Sequence, residues 1–303
     1  MTEPRRPSEV EPKISICLPS WNTRGLLQEC LSSIQATCRV PHEVIVVDNA
    51  SADGSPEMVR EAFTRVRLIV NRTNRGYAGA TNQAIAAARG SLILLLNSDT
   101  RFCDGALGGL AEFLDSHREA AAAAPLLRRP GGKIQRSWGP LFGLRTEIAR
   151  ILLLDRSRGL PWNGKAEPCE VESLMGACLM VRKEALDQAG MLDEGFLHYG
   201  EDVDLCWRLQ RAGWRIFLLP WMEIIHHGAA SSRRMRQHAW LNYYRSKCRL
   251  FRKHLGPQAV VAAKLLLTTE ALAKGALALA WPSPAGRRKV KDCAALLRSI
   301  GGF

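Results

Sequence analysis

Asp99 ends the stretch Gly90-Ser-Leu-Ile-Leu-Leu-Leu-Asn-Ser-Asp-Thr100, in which Leu92 to Leu96 is wholly apolar and Asn97, Ser98 and Asp99 are abruptly polar. A short apolar run of this kind reads as a strand buried on both faces, which delivers its last polar residues to a fixed place. In an open α/β sheet that place is the crevice beyond the carboxyl ends of the strands. Asp99 can hold a cation or a sugar hydroxyl there, or it simply opens the turn before the next helix. Other apolar runs end in the same way, at Pro19-Ser20-Trp21-Asn22, at Asp48-Asn49 and at Asn74-Arg75-Gly76. A carboxylate such as Asp48 can accept hydrogen bonds from a base or a ribose, or Asp48 and Asn49 can form Asx turns. Asp99 can meet a diphosphate only through a divalent cation, because two anions repel.

Further along, Val171 to Val181 reads as a strand with Gly176 and Ala177 in its middle, a pair that leaves room for a ligand against the backbone. The segment Asp193-Glu-Gly-Phe-Leu-His-Tyr-Gly-Glu-Asp-Val-Asp204 then gathers acids and one histidine ahead of helix-spaced Leu205, Cys206, Leu209 and Ala212. Glu201, Asp202 and Asp204 complement the positive end of that helix, and Asp204 with Arg208 forms an i,i+4 pair. Capping accounts for one or two of these acids and leaves the cluster over. His226 and His227, at the end of a later strand, are either ligands beside a diphosphate and metal or structural histidines.

The elements that must position these groups alternate. Ile14–Leu18, Val44–Val47, Val66–Val70 and Leu92–Leu96 read as strands, separated by helical patterns at 26–34, from about Ser55, and at Ala78–Ala88. That order specifies a parallel, right-handed α/β half-sheet. There is no GxGxxG after the first strand and no GxxxxGK[ST], which counts against dinucleotide and P-loop phosphate binding. Beyond it come a helix at Ala106–Leu114, an Ala-rich strand to Leu127, a Pro-Gly-Gly turn at 130–132 and an aperiodic stretch to Pro168 that reads as a lid-like loop. A helix over Val203–Ala212 and two short strands, Trp214–Leu219 and Met222–Ile225, follow.

The chain has 303 residues, 47% of them hydrophobic, enough for a large core. Its nine cysteines, odd in number and without a CxxC pair, argue against a zinc ribbon and a disulfide framework and fit a reducing compartment. The N-terminal MTEPRRPSEVEPK lacks an apolar core and reads as a disordered lead-in over residues 1–12. Residues 231–303 carry fifteen Lys/Arg against two acids, so the whole formal charge of +13 lies there and residues 1–230 sum to zero. Such asymmetry points to an anionic partner surface. Ala259–Trp281 is a nearly apolar 23-residue run interrupted by Lys264, Glu270 and Lys274. Each of those costs roughly 2.5–3.5 kcal/mol at a bilayer centre, which disfavours spanning. The segment lies in an anionic membrane interface or packs on a core; nucleic acid, the competing anionic partner, does not explain an apolar run.

The ordered set LPSWN, VVDNAS, NRGYAGATN, LLLNSD, MGACLMVRKEAL, GEDVDLCWRLQRAGW and IIHHGAASS resembles the inverting family 2 glycosyltransferases of the GT-A fold, and especially their rhamnosyltransferase-like branch in bacterial polysaccharide assembly. The likeness covers about residues 13–232 and implies a GT-A domain there; residues 233–303, which the motifs do not cover, read from their charge and apolar run as a basic, helical, membrane-associating module. It implies transfer of a sugar, rhamnose from dTDP-rhamnose, to a lipid-linked glycan acceptor, with inversion and with Mg²⁺ or Mn²⁺. A UDP-hexose donor is the alternative within the family. By the same resemblance Asp48 contacts uracil or thymine and ribose, flanked by Pro19, Trp21 and Asn22, and Asn74 and Gly76 lie along the nucleotide. Asp99 is the metal end of a DxD motif that here begins with Asn97. Asp202, the second acid of the Glu201-Asp202 pair, is the general base, Gly176 and Ala177 stand on the acceptor side, and His226, with His227, is a further metal or diphosphate contact. The implied location is the cytoplasmic face of the cell membrane, bound peripherally. From other classes, a nucleotidyltransferase would carry a Gly-rich basic loop after the first strand, where this chain has Pro-Ser-Trp-Asn-Thr. A non-catalytic membrane or polyanion-binding protein would leave the acidic cluster unexplained.

Overall fold

A computed structural model of the chain describes residues 11–103, 105–151, 167–196, 199–228, 236–280 and 284–303. The lead-in to residue 10, most of the expected lid, His198 and Trp281 lie outside them. The chain divides into two compact units: residues 1–139, 161–194 and 202–234 form one, and 140–160, 195–201 and 235–303 the other.

The first unit begins with β1 (Ile14–Ser20), α1 (Arg24–Thr37), β2 (His42–Asp48), α2 (Ser55–Ala62), β3 (Arg67–Val70), α3 (Gly76–Ala87) and β4 (Leu92–Leu96). These strands lie in the order β3-β2-β1-β4, all parallel, which is the half-sheet the alternation predicts. Full burial explains the apolar runs. Leu92, Leu94 and Leu96 enter one hydrophobic layer while Ile93 and Leu95 enter the other, and β1 and β2 divide in the same way. Helix α1 buries Leu27, Cys30, Leu31 and Ile34, and Ala-rich α3 lies close on the sheet through Ala78, Ala80 and Ala84.

After β4 the chain forms β5 (Thr100–Phe102), α4 (Ala106–Ser116), β6 (Ala120–Arg128), β7 (Ile134–Gln135) and β8 (Trp138–Gly139). The second unit's α5 (Leu144–Ile151) comes next in the chain, then β9 (Cys169–Glu170), β10 (Ser173–Leu174), β11 (Cys178–Arg182), α6 (Lys183–Ala189), α7 (Glu201–Arg211) and β12 (Arg215–His226). The sheet continues from β4 through β11, β6 and β12 to β5. Strand β11 is antiparallel to both β4 and β6, and β12 is parallel to β6 but antiparallel to β5.

Four expectations are corrected. The run Val171–Val181 is not one strand, because residues 175–177 leave the ladder and Gly176 and Ala177 form a turn between β10 and β11. The two strands expected at 214–219 and 222–225 are one, β12, with a register shift between Leu219 and Glu223 that absorbs Pro220. The aperiodic stretch before Pro168 contains β7, β8 and α5, elements too short to write a period. Asp99 precedes a strand and not a helix: residues 98 and 99 make the tight turn into β5.

The second unit comprises α5, the segment 195–201, α8 (Arg236–Leu255), α9 (Pro257–Ala280) and α10 (Pro284–Ile300). Its core joins Cys248, Phe251, Val260, Ala263, Leu267, Cys293, Leu296 and Ile300. Lys247, almost fully buried, meets buried Glu147 at 2.8 Å, with its ammonium over the rings of Phe142 and Tyr243.

Candidate active site

The C-terminal ends of β1, β2 and β4 each deliver polar residues, and their environments differ. Asp48 closes β2 at 1% exposure. Its Oδ2 accepts from Ser51 N at 2.9 Å, holding the turn in which Ala50 takes a left-handed φ of 65°. Its Oδ1 is buried without a hydrogen-bond partner. The Asx turn and the ligand reading are therefore compatible, since one oxygen is spent on the turn and one is left to a ligand. Pro19 is buried past the end of the β1–β4 ladder, which stops at Cys17 and Leu95, so its missing N–H costs no bond there. Trp21 is half-buried beside it in sequence. Asn22 braces a loop: its Oδ1 accepts from Ala52 N at 2.8 Å and its N–H donates to Ser51 Oγ at 2.9 Å.

Asn49 organises the neighbouring loop, a role its sequence position did not announce. Its Nδ2 donates to Asn74 Oδ1 and to the Gly76 carbonyl at 2.9 and 3.0 Å. Its Oδ1 accepts from Arg75 N and Asn71 Nδ2 at 2.9 and 3.1 Å. Asn74 Oδ1 also accepts from Gly76 N at 2.8 Å, and Gly76 opens α3 with φ 75°, where a side chain would be strained. Asn74 and Gly76 thus shape the loop beside Asp48.

At the end of β4, Asp99 is 8% exposed. The β12–β5 ladder pairs His226 with Thr100, and this register brings His226 Nε2 to 3.2 Å from Asp99 Oδ1. The other ring nitrogen, Nδ1, lies 3.1 Å from Gln135 Oε1, so the imidazole is held between Gln135 and Asp99. Asn97 Nδ2 lies 3.5 Å from the same Nε2. A carboxylate oxygen and an imidazole nitrogen side by side are donor types that a divalent cation takes. No group of three or more His, Cys, Asp or Glu side chains able to hold a metal occurs among the described residues. His227 does not share this arrangement. Its backbone N–H donates to the Asp99 carbonyl at 2.9 Å, while its ring turns to Glu29 at 3.5 Å. Ser98 joins Thr23, and Thr23 joins Ser20, through hydroxyl contacts of 2.9 and 3.0 Å that tie the ends of β4 and β1 together.

Asp202 reaches the same edge from α7. Its Oδ1 accepts from Val203 N at 2.8 Å and its Oδ2 from Gly176 N at 3.1 Å. The Gly176 carbonyl accepts from Tyr77 Oη at 3.0 Å, and the Ala177 carbonyl accepts from Asn97 N at 3.0 Å. Those bonds replace the ladder and account for the turn at Gly176. A Cβ there would stand 3.3 Å from Tyr77 Oη and 3.5 Å from Asp202 Cβ. Glu201, the first residue of α7, is buried, and buried Asp204 forms the expected pair with Arg208 at 2.8 Å. Gln135 and Tyr77 were not singled out from sequence, and Asn49 was read only as an Asx-turn former. Gln135 falls in the stretch without periodicity, whereas Tyr77 stands beside Gly76, which was named.

Residues 15–190 match the model of glycosyl transferase family 2. The chain is 31% identical over 227 residues, 69% of this chain and 74% of the relative, to an N-acetylglucosaminyl-diphospho-decaprenol L-rhamnosyltransferase of Mycobacterium tuberculosis. Among solved structures it is similar to a mannosyltransferase from Pyrobaculum calidifontis in complex with GDP-Man and Mn²⁺, with a TM-score of 0.57 and 20% identity over 95% of this chain and 81% of that one. It is also similar to GalNAc-T7 with UDP, GalNAc and Mn²⁺, with a TM-score of 0.59 and 14% identity over 80% of this chain and 48% of that longer one. The fold is that of the GT-A glycosyltransferases, and the chain belongs to glycosyl transferase family 2, where it is rhamnosyltransferase-like.

Proposed function

We propose that the protein transfers rhamnose from dTDP-rhamnose to a lipid-linked glycan acceptor with inversion, in the assembly of a bacterial cell-surface polysaccharide, as a peripheral enzyme at the cytoplasmic face of the membrane. The likeness to the mycobacterial L-rhamnosyltransferase supports the rhamnosyl group and the acceptor class, and the dTDP carrier rests on the motif resemblance. The chemistry rests on one juxtaposition: Gly176 N holds the Asp202 carboxylate while the next residue, Ala177, bonds Asn97, two positions from Asp99.

In this reading the buried Oδ1 of Asp48 accepts a hydrogen bond from the base or ribose, Pro19 and Trp21 flank the nucleotide, and the Asn49-organised loop with Asn74 and Gly76 shapes its bed. Asp99 and His226 would hold the divalent cation, Mg²⁺ or Mn²⁺. With Asn97 in place of a first acid, the chain offers it one carboxylate and one imidazole. When bound, the cation neutralises the charge that grows on the leaving diphosphate. Asp202 takes the proton of the acceptor hydroxyl as its oxygen attacks the anomeric carbon from the face opposite the diphosphate. The bond from that carbon to the diphosphate oxygen breaks, and no covalent sugar–enzyme intermediate forms. Two backbone N–H groups fix the orientation of the Asp202 carboxylate.

Nucleotide release from a panel of dTDP- and UDP-sugars, with lipid-linked acceptor and with Mg²⁺, Mn²⁺ or chelator, tests this. We expect release from dTDP-rhamnose that requires both acceptor and cation. A protein that binds none of these donors in calorimetry and turns none over with membrane acceptors does not have this function.

A further inference from the structure

Helix α9 carries its polar residues on the side that packs and its apolar residues on the side that does not. Ala259, Val260, Ala263, Leu267, Glu270 and Ala271 are its buried residues. At about 100° per residue they fill a sector of roughly 0° to 120° measured from Ala259, and Lys274 and Lys264 fall in or next to that sector. Both lysines find partners within the unit, Lys274 on Glu270 and Lys264 on the Gly301 carbonyl. The opposite sector, roughly 180° to 260°, holds Val261, Leu265, Leu272, Ala276 and Leu279, with exposed Gln258 at its edge in the first turn. Together with Leu277, which lies past the last buried residue, the large members of this set are 56% to 76% exposed. Thr268 and Thr269 add no polarity outward, since their hydroxyls donate to the carbonyls of Lys264 and Leu265 in the same helix. A helix alone in water would present the reverse arrangement, so this face is built for an apolar surrounding.

Positive charge stands beside it. A Cβ at Gly275 would lie 3.7 Å from Cys293 Cβ, and Lys264 reaches Gly301, so α10 runs back antiparallel along α9. The start of α10, with exposed Arg287, Arg288, Lys289 and Lys291, therefore adjoins the end of α9 that bears Leu277 and Leu279. We infer that the outward face of α9, with the basic first half of α10, lies in the surface of an anionic bilayer, leucines among the acyl chains and guanidinium and ammonium groups at the headgroups. A second copy of the chain is a poor occupant, because the whole net charge of +13 sits in residues 231–303 and two such faces would repel. No helix among the described residues is long and apolar enough to cross a membrane, which agrees with a helix lying in the interface. This deepens the peripheral-membrane part of the function proposed above by naming the surface that makes the contact.

Flotation with phosphatidylglycerol or phosphatidylcholine vesicles tests it on the full chain. We expect the wild type to float with the anionic vesicles at low salt. The triple variant L265Q, L272Q, L279Q, altered only on the exposed face, should lose more than about tenfold in partition because it gives up buried apolar area. The variant R287Q, R288Q, K289Q, K291Q should lose the preference for anionic lipid. Wild type that stays with the soluble fraction, or a triple variant that floats like wild type, overturns the inference. So does a lipid-free dimer in sedimentation that the triple variant converts to monomer, since the face is then a contact between copies. Donor binding, measured by calorimetry without vesicles, should be unchanged in the triple variant. Its absence in the wild type would sink the transfer chemistry while leaving the flotation result standing.

Discussion

In the proposed chemistry three carboxylates carry different loads, and substitution separates them. Asp202→Asn removes the proton acceptor and leaves the Asp48 and Asp99 environments intact, so transfer should fall by about 10²–10⁴-fold while donor affinity in calorimetry stays at the wild-type value. A loss of only a few-fold would return Asp202 to its backbone partners, Val203 and Gly176, as a cap. Asp99→Ala should act at the other end, weakening cation-dependent donor binding with little change in binding measured under chelator. Cysteine chemistry gives an independent check. Burial, opposed in part by the Thr100 hydroxyl, pushes the Cys30 thiol up to about 12, and burial, opposed in part by the Leu174 backbone, does the same for Cys206. Cys103 is the exposed thiol among the nine free ones. Alkylation at about pH 8, close to the reactivity range of an ordinary thiol, should therefore mark Cys103 in the native protein and reach Cys30 and Cys206 only after unfolding, as peptide mass spectrometry will show.

Between elements, the tightest approach of a glycine to another strand's backbone among the described residues lies where the chain enters β4. A Cβ at Gly90 would come within 2.8 Å of Ser15 N and 2.9 Å of the Ile14 carbonyl carbon, both backbone atoms of β1. Gly90→Ala should thus push β4 from β1 and cost about 1–3 kcal/mol in urea unfolding. The same corner holds Glu43, whose carboxyl burial alone would raise. Hydrogen bonds from Ser15 Oγ at 2.6 Å and from Arg89 N and Nε at 2.7 and 3.1 Å outweigh burial and hold it below the usual glutamate range. Its folded value lies below its unfolded one of about 4.3, so the stabilisation is complete above that pH and is lost as pH falls through the folded value. Glu43→Gln should flatten the fall in melting temperature below about pH 4.3.

Across the whole chain the two units rest on different interiors. Both faces of β1, β2, β4 and β11 are buried in apolar layers, so their amides should exchange last with deuterium. In α9 the buried residues stop at Ala271, and residues 272–280 should exchange well before 259–271. The second unit also encloses an ion pair. Lys247→Met removes the ammonium that buried Glu147 meets at 2.8 Å and should cost about 3–5 kcal/mol, while adding Glu147→Leu should restore most of that loss. Failure of the double change to restore stability would mean that the pair also orders Phe142 and Tyr243.

Leu92–Leu96, Val44–Val47 and Ile14–Leu18 could be read as parallel strands from the sequence alone because a strand buried on both faces must be apolar at every position and must become polar where the sheet ends. The ordered motifs between residues 13 and 232 carried the resemblance to the family whose model matches residues 15–190. Three features needed the tertiary structure. His226 meets Asn97 across 129 residues of chain, and only the β12–β5 register selects it over His227. Gly176 leaves the strand because Asp202 and Tyr77 take its N–H and carbonyl, partners that local spacing does not reveal. In α9 the sequence located the polar stripe, and only packing decided that this stripe turns inward and the leucines face out. A helical period tells which residues share a face, whereas the neighbours that cover a face come from elsewhere in the chain.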